Sequence, residues 1–435
     1  MKVLFIAGEA LPFASTGGLG EVMASLPAAL RKRVVGARVV MPLYSSISGE
    51  TRKSFRFVCS ISVPLGWRQQ HCGVFETKRN GVTYYFLDNE YYFKRNSCYG
   101  EYDDAERFAY FSKAVLEMLG HLDWKPDILH CNDWHTALVP VFYHAFYREL
   151  DKYKGIRTVF TIHNIQYQGQ YDHYLLKDML GLDEKYRGVL DCRGLLNFMK
   201  GAVEVSDAVT TVSPTYASEI LNGINAYGME DVLRYHAGKI RGILNGIDTV
   251  SYDPQTDPSL FEVYSREDPT AKALNKSGLQ KMLGLPVDPG PAMLSMVTRL
   301  SGQKGIDLLI QVFDLLMQED VQLVILGTGE RRYEVFMEEM QRKYPMKFVA
   351  AITFNHDLAR KIYAASDLFL MPSLAEPCGL SQMIALRYGT LPVVRETGGL
   401  KDTVFSYNES SQTGNGFSFA EYNAQDMLYT LRRGL

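Results

Sequence analysis

The sequence predicts an α/β protein with two domains, each built on a parallel sheet. Short apolar runs suited to buried strands alternate with helical patterns along most of the chain, and this alternation is typical of parallel sheets. The chain has 435 residues, which exceeds the size at which a single hydrophobic core usually stops growing. Glycine turns also follow predicted strands in both halves of the chain, as they do in many nucleotide-binding folds.

The predicted strands fall into two groups. The first group covers residues 3–7, 38–41, 83–87, 128–130, 158–162 and 208–212, and the second covers residues 293–298, 322–326, 348–351, 368–371 and 391–394. Between the groups lie a helical piece, the motif GILNGID and the irregular stretch YDPQTDPS, which together indicate a crossing from one sheet to the other. We therefore expect an N-terminal domain over residues 1–243 and a C-terminal domain over residues 244–435.

Composition argues against several classes of partner. The chain has 46 basic and 49 acidic residues, and a net charge of -3 gives no reason to expect nucleic acid or an anionic membrane surface. The six cysteines show no C-x-x-C spacing, which favours reduced thiols over a disulfide framework. The apolar run near the N-terminus is short and is interrupted by Glu9, so it resembles a first strand more than a secretion signal. We expect a soluble, cytoplasmic protein.

The stretch EPCGL to TGGLKDT contains the strongest local signal. Glu376 follows the predicted strand 368–371, and a helix that Gly389 ends comes next. Gly398 and Gly399 follow the next strand, where amides without a Cβ nearby can face phosphate oxygens. The tetrapeptide TGGL also occurs after the first strand, at residues 16–19. These turns suggest a sugar diphosphate site, although a glycine pair is more often only a tight turn.

Polar clusters follow two further strands of the first domain. In HCNDWH, the spacing of His130, Asp133 and His135 is compatible with a metal site. The same side chains could instead be oriented by backbone groups or line a polar pocket. We predict no metal site. In TIHNIQYQG, His163 and Asn164 directly follow a strand, and the cluster fits either a structural histidine or a pocket for a hydroxyl-rich ligand.

Two cations lie beside a helix start in the second domain. Arg299 and Lys304 bracket the loop between the strand 293–298 and the next helix. Cations in this position can neutralise a departing diphosphate. The alternative is a pair of solvated loop charges.

Taken together, the motifs resemble the family of bacterial glycogen synthases and starch synthases. STGGLGEV, NDWH, HNIQYQG, TVSPTYASEI, YGME, LNGID, the loop 299–305, EPCGL and TGGLKDT occur in family order over nearly the whole chain. The resemblance implies a GT-B fold, in which two Rossmann-like domains face each other across a central cleft. It also implies transfer of glucose from ADP-glucose to the non-reducing end of an α-1,4-glucan, with retention of configuration and with no metal or other cofactor.

The resemblance suggests roles for residues on the donor side. Arg299 and Lys304 would bind the donor phosphates and stabilise the leaving ADP. Backbone amides around two glycine turns would complete this anion site, and the residues concerned are Ser15, Gly18, Thr397, Gly398, Gly399 and Leu400.

Other positions correspond to the sugar pocket of the family. His163 would lie near the 6-hydroxyl of the transferred glucose, with Asp133 and Asn245 lining the pocket. Glu376 would hold glucose hydroxyls or respond to the charge that develops on the sugar. No carboxylate nucleophile is assigned, although retention often indicates one. Glu9 would contact the acceptor.

The chain departs from the family pattern at several positions. Ser15 stands where Lys is common, which removes a cation from the donor site. Glu21 replaces Asp, Ala375 replaces an aromatic residue, and Ile384 stands where related GT-B enzymes carry a second glutamate. The family continues beyond the position of Leu435 with helices that return to the first domain, so we expect a looser hinge if the chain ends there.

Two features leave alternatives open. Ser15 and the early C-terminus are also compatible with a non-catalytic glucan-binding protein on the same fold. Glycine turns after strands suggest a nucleotide-binding oxidoreductase, but the first strand is not followed by G-x-G-x-x-G. The aromatic clusters at residues 84–86 and 91–93 fit alternating strands as well as a glucan path.

Overall fold

The computed structural model describes all residues, 1–435, and the chain forms two compact units. Unit 1 comprises residues 1–245 and unit 2 comprises residues 246–435, so the division falls two residues after the position predicted from the sequence. All six cysteines are free thiols. None of the helices combines the length and the apolar character that crossing a bilayer requires.

Unit 1 is built on a nine-stranded sheet with the strand order β12-β11-β7-β6-β1-β2-β5-β4-β3, and a small antiparallel sheet has the order β8-β10-β9. The strands are β1 (Lys2–Ile6), β2 (Gly36–Pro42), β3 (Arg56–Leu65), β4 (Arg68–Arg79), β5 (Val82–Asp88), β6 (Ile128–Asn132), β7 (Arg157–Ile162), β8 (Gln170–Tyr171), β9 (Asp191–Cys192), β10 (Leu195–Asn197), β11 (Ala208–Thr211) and β12 (Ile240–Gly242). The six strands predicted for the first domain are β1, β2, β5, β6, β7 and β11, and they pair in parallel.

Helices connect these strands. They are α1 (Gly18–Lys32), α2 (Gly49–Arg52), α3 (Glu90–Phe93), α4 (Asp104–Gly120), α5 (Leu138–Phe142), α6 (Leu175–Asp178), α7 (Arg187–Leu190), α8 (Phe198–Val205), α9 (Pro214–Glu219) and α10 (Glu230–Tyr235). A π-helical turn covers Tyr143–Tyr147, and 3₁₀ turns cover Trp134–Thr136, Glu184–Tyr186, Gly223–Ala226 and Ala237–Lys239. The core is continuous through β1, whose residues Val3 to Ile6 are all buried, as expected for a strand covered on both faces.

Two features of unit 1 differ from the sequence prediction. The long antiparallel hairpin of β3 and β4 was not predicted, and it extends the sheet beyond β5. Residues 91–93, which fit an alternating strand, lie instead in the short helix α3. The Asn89 side chain caps this helix by accepting a hydrogen bond from the Tyr91 amide at 3.0 Å. An asparagine before an aromatic run therefore favours a helical turn here.

Unit 2 is built on a parallel sheet of six strands with the order β15-β14-β13-β16-β17-β18. The strands are β13 (Ala292–Val297), β14 (Val321–Leu326), β15 (Phe348–Ala351), β16 (Leu368–Met371), β17 (Leu391–Arg395) and β18 (Phe417–Phe419). Numbered within the unit, this order is 3-2-1-4-5-6, the arrangement of a doubly wound dinucleotide-binding sheet. Its switch point lies between β13 and β16, where ligands of such sheets bind beyond the carboxyl ends of the strands.

Seven helices cover the two faces of this sheet. They are α11 (Lys272–Leu283), α12 (Ile306–Leu316), α13 (Arg331–Lys343), α14 (His356–Ala365), α15 (Ser381–Arg387), α16 (Gly398–Thr403) and α17 (Ala424–Gly434), and a 3₁₀ turn covers Gly302–Lys304. Side chains of β13 alternate between the faces: Leu294 and Met296 pack with α12, α13 and α17, while Met293 packs with α11 and α14. Helix α15 ends just before Gly389, which has a φ of 70°. A helix end at this glycine is what the sequence predicts.

Candidate functional site

The predicted site residues fall into two groups, one in each unit. In unit 1 they follow β1, β6 and β7, three adjacent parallel strands whose carboxyl ends lie at one edge of the sheet. In unit 2 they follow β13, β16 and β17 at the corresponding edge. Both groups therefore occupy the edge at which parallel α/β sheets bind ligands.

The buried carboxylate of Glu9 holds the first glycine turn. Glu9 Oε2 accepts hydrogen bonds from the amide and the hydroxyl of Thr16 at 2.6 and 2.8 Å, and Oε1 accepts one from the Gly20 amide at 3.0 Å. The residue is only 2% exposed. With both oxygens engaged inside the chain, Glu9 orders the turn that begins α1. The sequence suggested an acceptor contact for Glu9 and gave no sign of this internal role.

The turn itself places Ser15 and Gly18 at the start of α1. Ser15 Oγ donates a hydrogen bond to the Gly17 carbonyl at 3.0 Å. Gly18 is the first helical residue and is exposed, so its amide is open to an anion, whereas the Gly20 amide is bound to Glu9. A Cβ on Gly20 would lie 2.4 Å from Ser15 Oγ, so the close approach of Ser15 favours glycine at position 20 as well.

Asp133 has an unusual backbone conformation at the end of β6. Its φ of 58° with ψ of 176° is sparsely populated for a residue with a side chain. Its Oδ1 accepts hydrogen bonds from the amides of His163 and Asn164, at 2.7 and 3.2 Å. Burial raises the pKa of Asp133 to about 7, while the two amide donors lower it and Glu9 raises it further. The carboxylate thus fixes the loop that follows β7.

His163 is held as a neutral ring. Asn132 Nδ2 donates to the carbonyls of Ile6 and His130, at 3.1 and 3.0 Å, so Asn132 Oδ1 is left to accept from His163 Nε2 at 3.0 Å. Burial lowers the pKa of His163 to about 3, and neighbouring His130 lowers it further. This arrangement leaves Nδ1 of His163 free. Asn132 was not among the predicted site residues, although it stands within the quoted motif NDWH.

The histidines of HCNDWH point to different environments. His130 Nε2 lies 2.6 Å from the Thr161 hydroxyl, whereas the His135 ring packs against Tyr99 and Trp134 with centroid separations of 4.0 and 4.2 Å. No group of three or more His, Cys, Asp or Glu side chains in the chain is arranged to hold a metal ion. The two histidine side chains therefore contact different neighbours.

In unit 2, the structure brings Lys304 and Glu376 together. Lys304 Nζ lies 2.5 Å from Glu376 Oε2, and the Ser373 hydroxyl donates to the same oxygen at 3.2 Å. Glu376 is 7% exposed. Lys304 follows β13 and Glu376 follows β16, so the ion pair spans the switch point of the sheet. A buried carboxylate is therefore balanced by a cation at the predicted phosphate position.

Glycines allow three loops of unit 2 to meet at this ion pair. A Cβ on Gly305 would lie 2.0 Å from the Pro372 carbonyl oxygen. One on Gly398 would lie 2.1 Å from the Glu376 carbonyl oxygen, and one on Gly399 would lie 2.1 Å from that of Cys378. A side chain at any of these three positions would thus collide with backbone.

The second TGGL turn uses two of its amides internally. The Gly399 amide donates to the carbonyls of Glu376 and Pro377, at 3.2 and 3.1 Å, and the Leu400 amide donates to the Thr397 carbonyl at 3.0 Å. Thr397 is buried at the start of α16. In this conformation the glycine pair supports the loop that carries Glu376. The sequence suggested that these amides bind an anion and did not predict this internal role.

The remaining predicted residues lie apart from these contacts. Arg299 follows β13, is exposed, and forms no ion pair or side-chain hydrogen bond. Asn245 is the last residue of unit 1 and is half-buried. The exposed guanidinium of Arg299 still has all of its donors available, so it can bind a phosphate.

Two family models together match most of the chain. The model of the starch synthase catalytic domain matches residues 2–235, and that of the glycosyl transferases of group 1 matches residues 284–433. The chain is 52% identical over 437 aligned residues to the glycogen synthase of Geobacillus thermodenitrificans, covering 100% of this chain and 90% of that protein. It is 50% identical to the glycogen synthase of Desulforamulus reducens, again covering 100% of this chain and 91% of that protein.

Solved structures show the same architecture. The catalytic domain of starch synthase IV from Arabidopsis thaliana, bound to ADP and acarbose, aligns with a TM-score of 0.92 at 34% identity and covers 99% of this chain and 90% of that one. Sucrose-phosphate synthase from Thermosynechococcus elongatus aligns with a TM-score of 0.62 at 15% identity, which shows a shared fold only; the alignment covers 99% of this chain and 89% of that one.

Proposed function

The chain belongs to the glycogen synthase family, and we propose that it transfers glucose from ADP-glucose to the non-reducing end of an α-1,4-glucan with retention of configuration. The Lys304–Glu376 pair at the switch point of unit 2 is the observation that carries this proposal. It provides a fixed cation and a balanced carboxylate where a sugar diphosphate would bind. We further propose that unit 1 binds the glucan acceptor and that unit 2 binds the donor.

Fixed cations carry the donor chemistry in this proposal. Lys304 and the free guanidinium of Arg299 bind the diphosphate and stabilise the negative charge of the leaving ADP. Stabilisation of this charge is worth more in the transition state than in the ground state, because the charge on the departing oxygen grows as the glycosidic bond breaks. No divalent cation is needed for this step.

In this proposal the carboxylate of Glu376 holds the glucose and does not attack it. Because one oxygen is already shared by Lys304 and Ser373, the second oxygen is the one that can accept a glucose hydroxyl. In this proposal the carboxylate also favours the positive charge that develops on the sugar. The C1–O bond to the diphosphate breaks, and the leaving phosphate takes the proton of the acceptor hydroxyl. That hydroxyl oxygen bonds to C1 on the same face, without a covalent glycosyl enzyme.

Residues of unit 1 hold the transferred glucose. The free Nδ1 of His163 accepts a hydrogen bond from the 6-hydroxyl, and a neutral ring suits this role because it adds no charge near the reacting carbon. Asp133 positions His163 and Asn164 through their amides, and Asn245 contributes to the same pocket. We propose that the Gly18 amide and the Ser15 hydroxyl contact the donor phosphates. The donor pocket is shaped by the second glycine turn, at Thr397, Gly398, Gly399 and Leu400.

We propose that the reaction takes place in the cytoplasm.

Release of ADP tests the proposal directly. Purified protein is incubated with ADP-glucose and glycogen without added metal, with UDP-glucose in parallel. We expect ADP release that depends on glycogen and is faster than UDP release. Glycogen binding without release from either donor would contradict the catalytic proposal and favour a glucan-binding protein.

A further inference from the structure

The tip of the β3–β4 hairpin presents an exposed indole on a built support. Gly66 and Trp67 form the two-residue turn between Leu65 and Arg68, which pair across the hairpin. Gly66 has a φ of 56°, as the first residue of such a turn often does. A Cβ on Gly66 would lie 2.1 Å from the Asp178 carbonyl oxygen, so glycine allows the turn to pack directly on α6.

Three contacts fix the orientation of the ring. Trp67 Nε1 donates to Asp178 Oδ1 at 3.2 Å. The Arg68 guanidinium lies over the ring, 4.6 Å from its centroid, and Arg68 Nη2 lies 3.6 Å from Asp178 Oδ2. Arg68 Nε also lies 3.8 Å from Glu106 Oε1 on α4. One face of the indole is thus backed by a cation that two carboxylates hold, and its edge is hydrogen-bonded.

The opposite face of the indole is open. Trp67 is 75% exposed even though its edge and one face are engaged. Tyr174, four residues before Asp178 at the start of α6, is also exposed, at 69%. Tyr174 is the N-cap residue of this helix, so it lies one helical turn from Asp178 along the chain. An exposed aromatic side chain is usually unremarkable, but one whose orientation is fixed in advance loses little entropy on binding.

The position of the hairpin suits a polymer that enters the site of unit 1. β4 pairs with β5 from Gly73 opposite Asp88, so residues 68–72 of β4 extend beyond the carboxyl end of β5. At about 3.4 Å per residue, the turn lies roughly 17 Å past that end. Since β5 is parallel to β2 and β1, the extension is on the same edge as Glu9, Asp133 and His163.

We propose that the open face of Trp67, backed by Arg68 and held by Asp178, is a stacking platform for a glucose unit of an α-glucan chain, outside the reaction site. A sugar ring has an apolar face of C–H groups that packs on an aromatic ring, and its hydroxyls can bond to neighbouring charged groups. The platform tethers a glucan whose end reacts elsewhere, which raises the effective concentration of acceptor ends. This inference rests on the proposed glucan acceptor.

The first experiment measures glycogen affinity without donor, by electrophoretic retardation in gels that contain glycogen. Trp67→Ala is compared with Trp67→Tyr, which keeps an aromatic face, and with Tyr429→Ala, which removes a similarly exposed aromatic ring from α17 of unit 2. We expect Trp67→Ala to weaken binding about five- to twentyfold, Trp67→Tyr to retain most of the affinity, and Tyr429→Ala to have no effect. Unchanged affinity in Trp67→Ala, with an unchanged melting temperature, would overturn the proposal.

The second experiment separates tethering from catalysis. With glycogen as acceptor, Trp67→Ala should raise KM by a similar factor, while kcat with maltotriose stays at the wild-type value because the trisaccharide reacts without the platform. An equal loss with both acceptors would assign Trp67 to the fold or to the reaction site and refute the platform. If wild-type protein releases no ADP but still binds glycogen through Trp67, the platform stands and the catalytic proposal fails.

Fluorescence gives a direct readout of the ring. Trp67 is the most exposed of the three tryptophans, because Trp134 is buried and Trp124 is half-buried beneath Arg38. Maltoheptaose should protect a component of the emission from acrylamide quenching, and Trp67→Ala should lack that component. If Trp67→Ala instead changes only the sedimentation coefficient, the indole joins two copies of the chain and the glucan proposal is wrong.

Discussion

Lys304 and Glu376 form an ion pair with 2.5 Å between Nζ and Oε2, although 72 positions separate them in the sequence. The pair lies where adjacent parallel strands end, and the Ser373 hydroxyl shares the same carboxylate oxygen. Each charge is therefore partly neutralised before a ligand arrives. A carboxylate bound in this way is a weak nucleophile, which agrees with a role in holding the sugar.

Lys304→Ala and Glu376→Gln should each lower turnover by about 10²- to 10³-fold, because each removes a preorganised charge from the site. The double variant should lose less than the product of the two effects, since each single change leaves the partner charge unpaired. Initial rates of ADP release from the four proteins measure this coupling. Lys401→Ala, which removes an exposed lysine from α16, is the matched control. Near-normal rates in either single variant would remove that residue from the site.

Ser15→Lys should tighten donor binding. Ser15 bonds only to the Gly17 carbonyl, and its side chain adds no positive charge to the first glycine turn. A lysine there would add a cation near the diphosphate, and we expect the KM for the donor to fall about three- to tenfold. Ser15→Met supplies a side chain of comparable length without charge. The same decrease in both variants would show that packing, and not charge, is responsible.

The stability of the protein should depend on Asp133 in a pH-dependent manner. The folded chain holds the pKa of Asp133 at about 7, whereas the ordinary value is 3.8. The folded state therefore binds more protons than the unfolded state between these values, and the contribution of Asp133 to stability falls as pH rises from about 4 to 7. Above pH 7 the cost of the buried charge is on the order of 4 kcal/mol.

Asp133→Asn removes this charge, keeps an oxygen acceptor for the two amides, and suits a positive φ. We expect the variant to melt at a higher temperature than the wild type at pH 8, and the difference to shrink toward pH 4. Thermal unfolding followed by circular dichroism measures both values. A difference that is the same at both pH values would show that the carboxylate is not the destabilising group.

Gly305→Ala and Gly284→Ala form a matched pair. Both glycines have a positive φ, which is 75° at Gly305 and 73° at Gly284. A Cβ on Gly305 would collide with the Pro372 carbonyl of another loop, whereas no atom lies within 4 Å of a Cβ on Gly284. Gly284→Ala should cost about 1 kcal/mol, or roughly 2–4 °C in melting temperature, and leave the rate intact. Gly305→Ala should lower the melting temperature further and reduce turnover at least tenfold, because Lys304 and Glu376 must move apart. Equal behaviour of the two variants would refute a role for the close contact.

The central strands of both sheets could be predicted from the sequence, because a buried parallel strand is an unbroken apolar run. Strands β3 and β4 could not be predicted in this way, because their sides are partly exposed and their residues mix polar and apolar types over long stretches. Their pairing also depends on a two-residue turn whose docking on α6 is a tertiary contact. The docking of the turn on α6 therefore depends on a contact between distant segments.

The site could be predicted in part for a similar reason. Lys304 and Glu376 each follow an apolar strand, so their location at one sheet edge follows from the pattern. The partners of Glu9 and of the Gly399 amide could not be inferred, because the hydrogen bonds depend on how loops pack on one another. The same glycine fits an anion turn or a close backbone contact, and only the surrounding loops distinguish the two.

The contacts at Gly305, Gly398 and Gly399 have a consequence for how this enzyme can change over evolutionary time. Since backbone meets backbone at all three positions, the loops after β13, β16 and β17 cannot lengthen or shorten one at a time. If unit 2 binds the donor as proposed, new donor preferences arise by exchange of side chains on this frame, while the frame is inherited as a single unit.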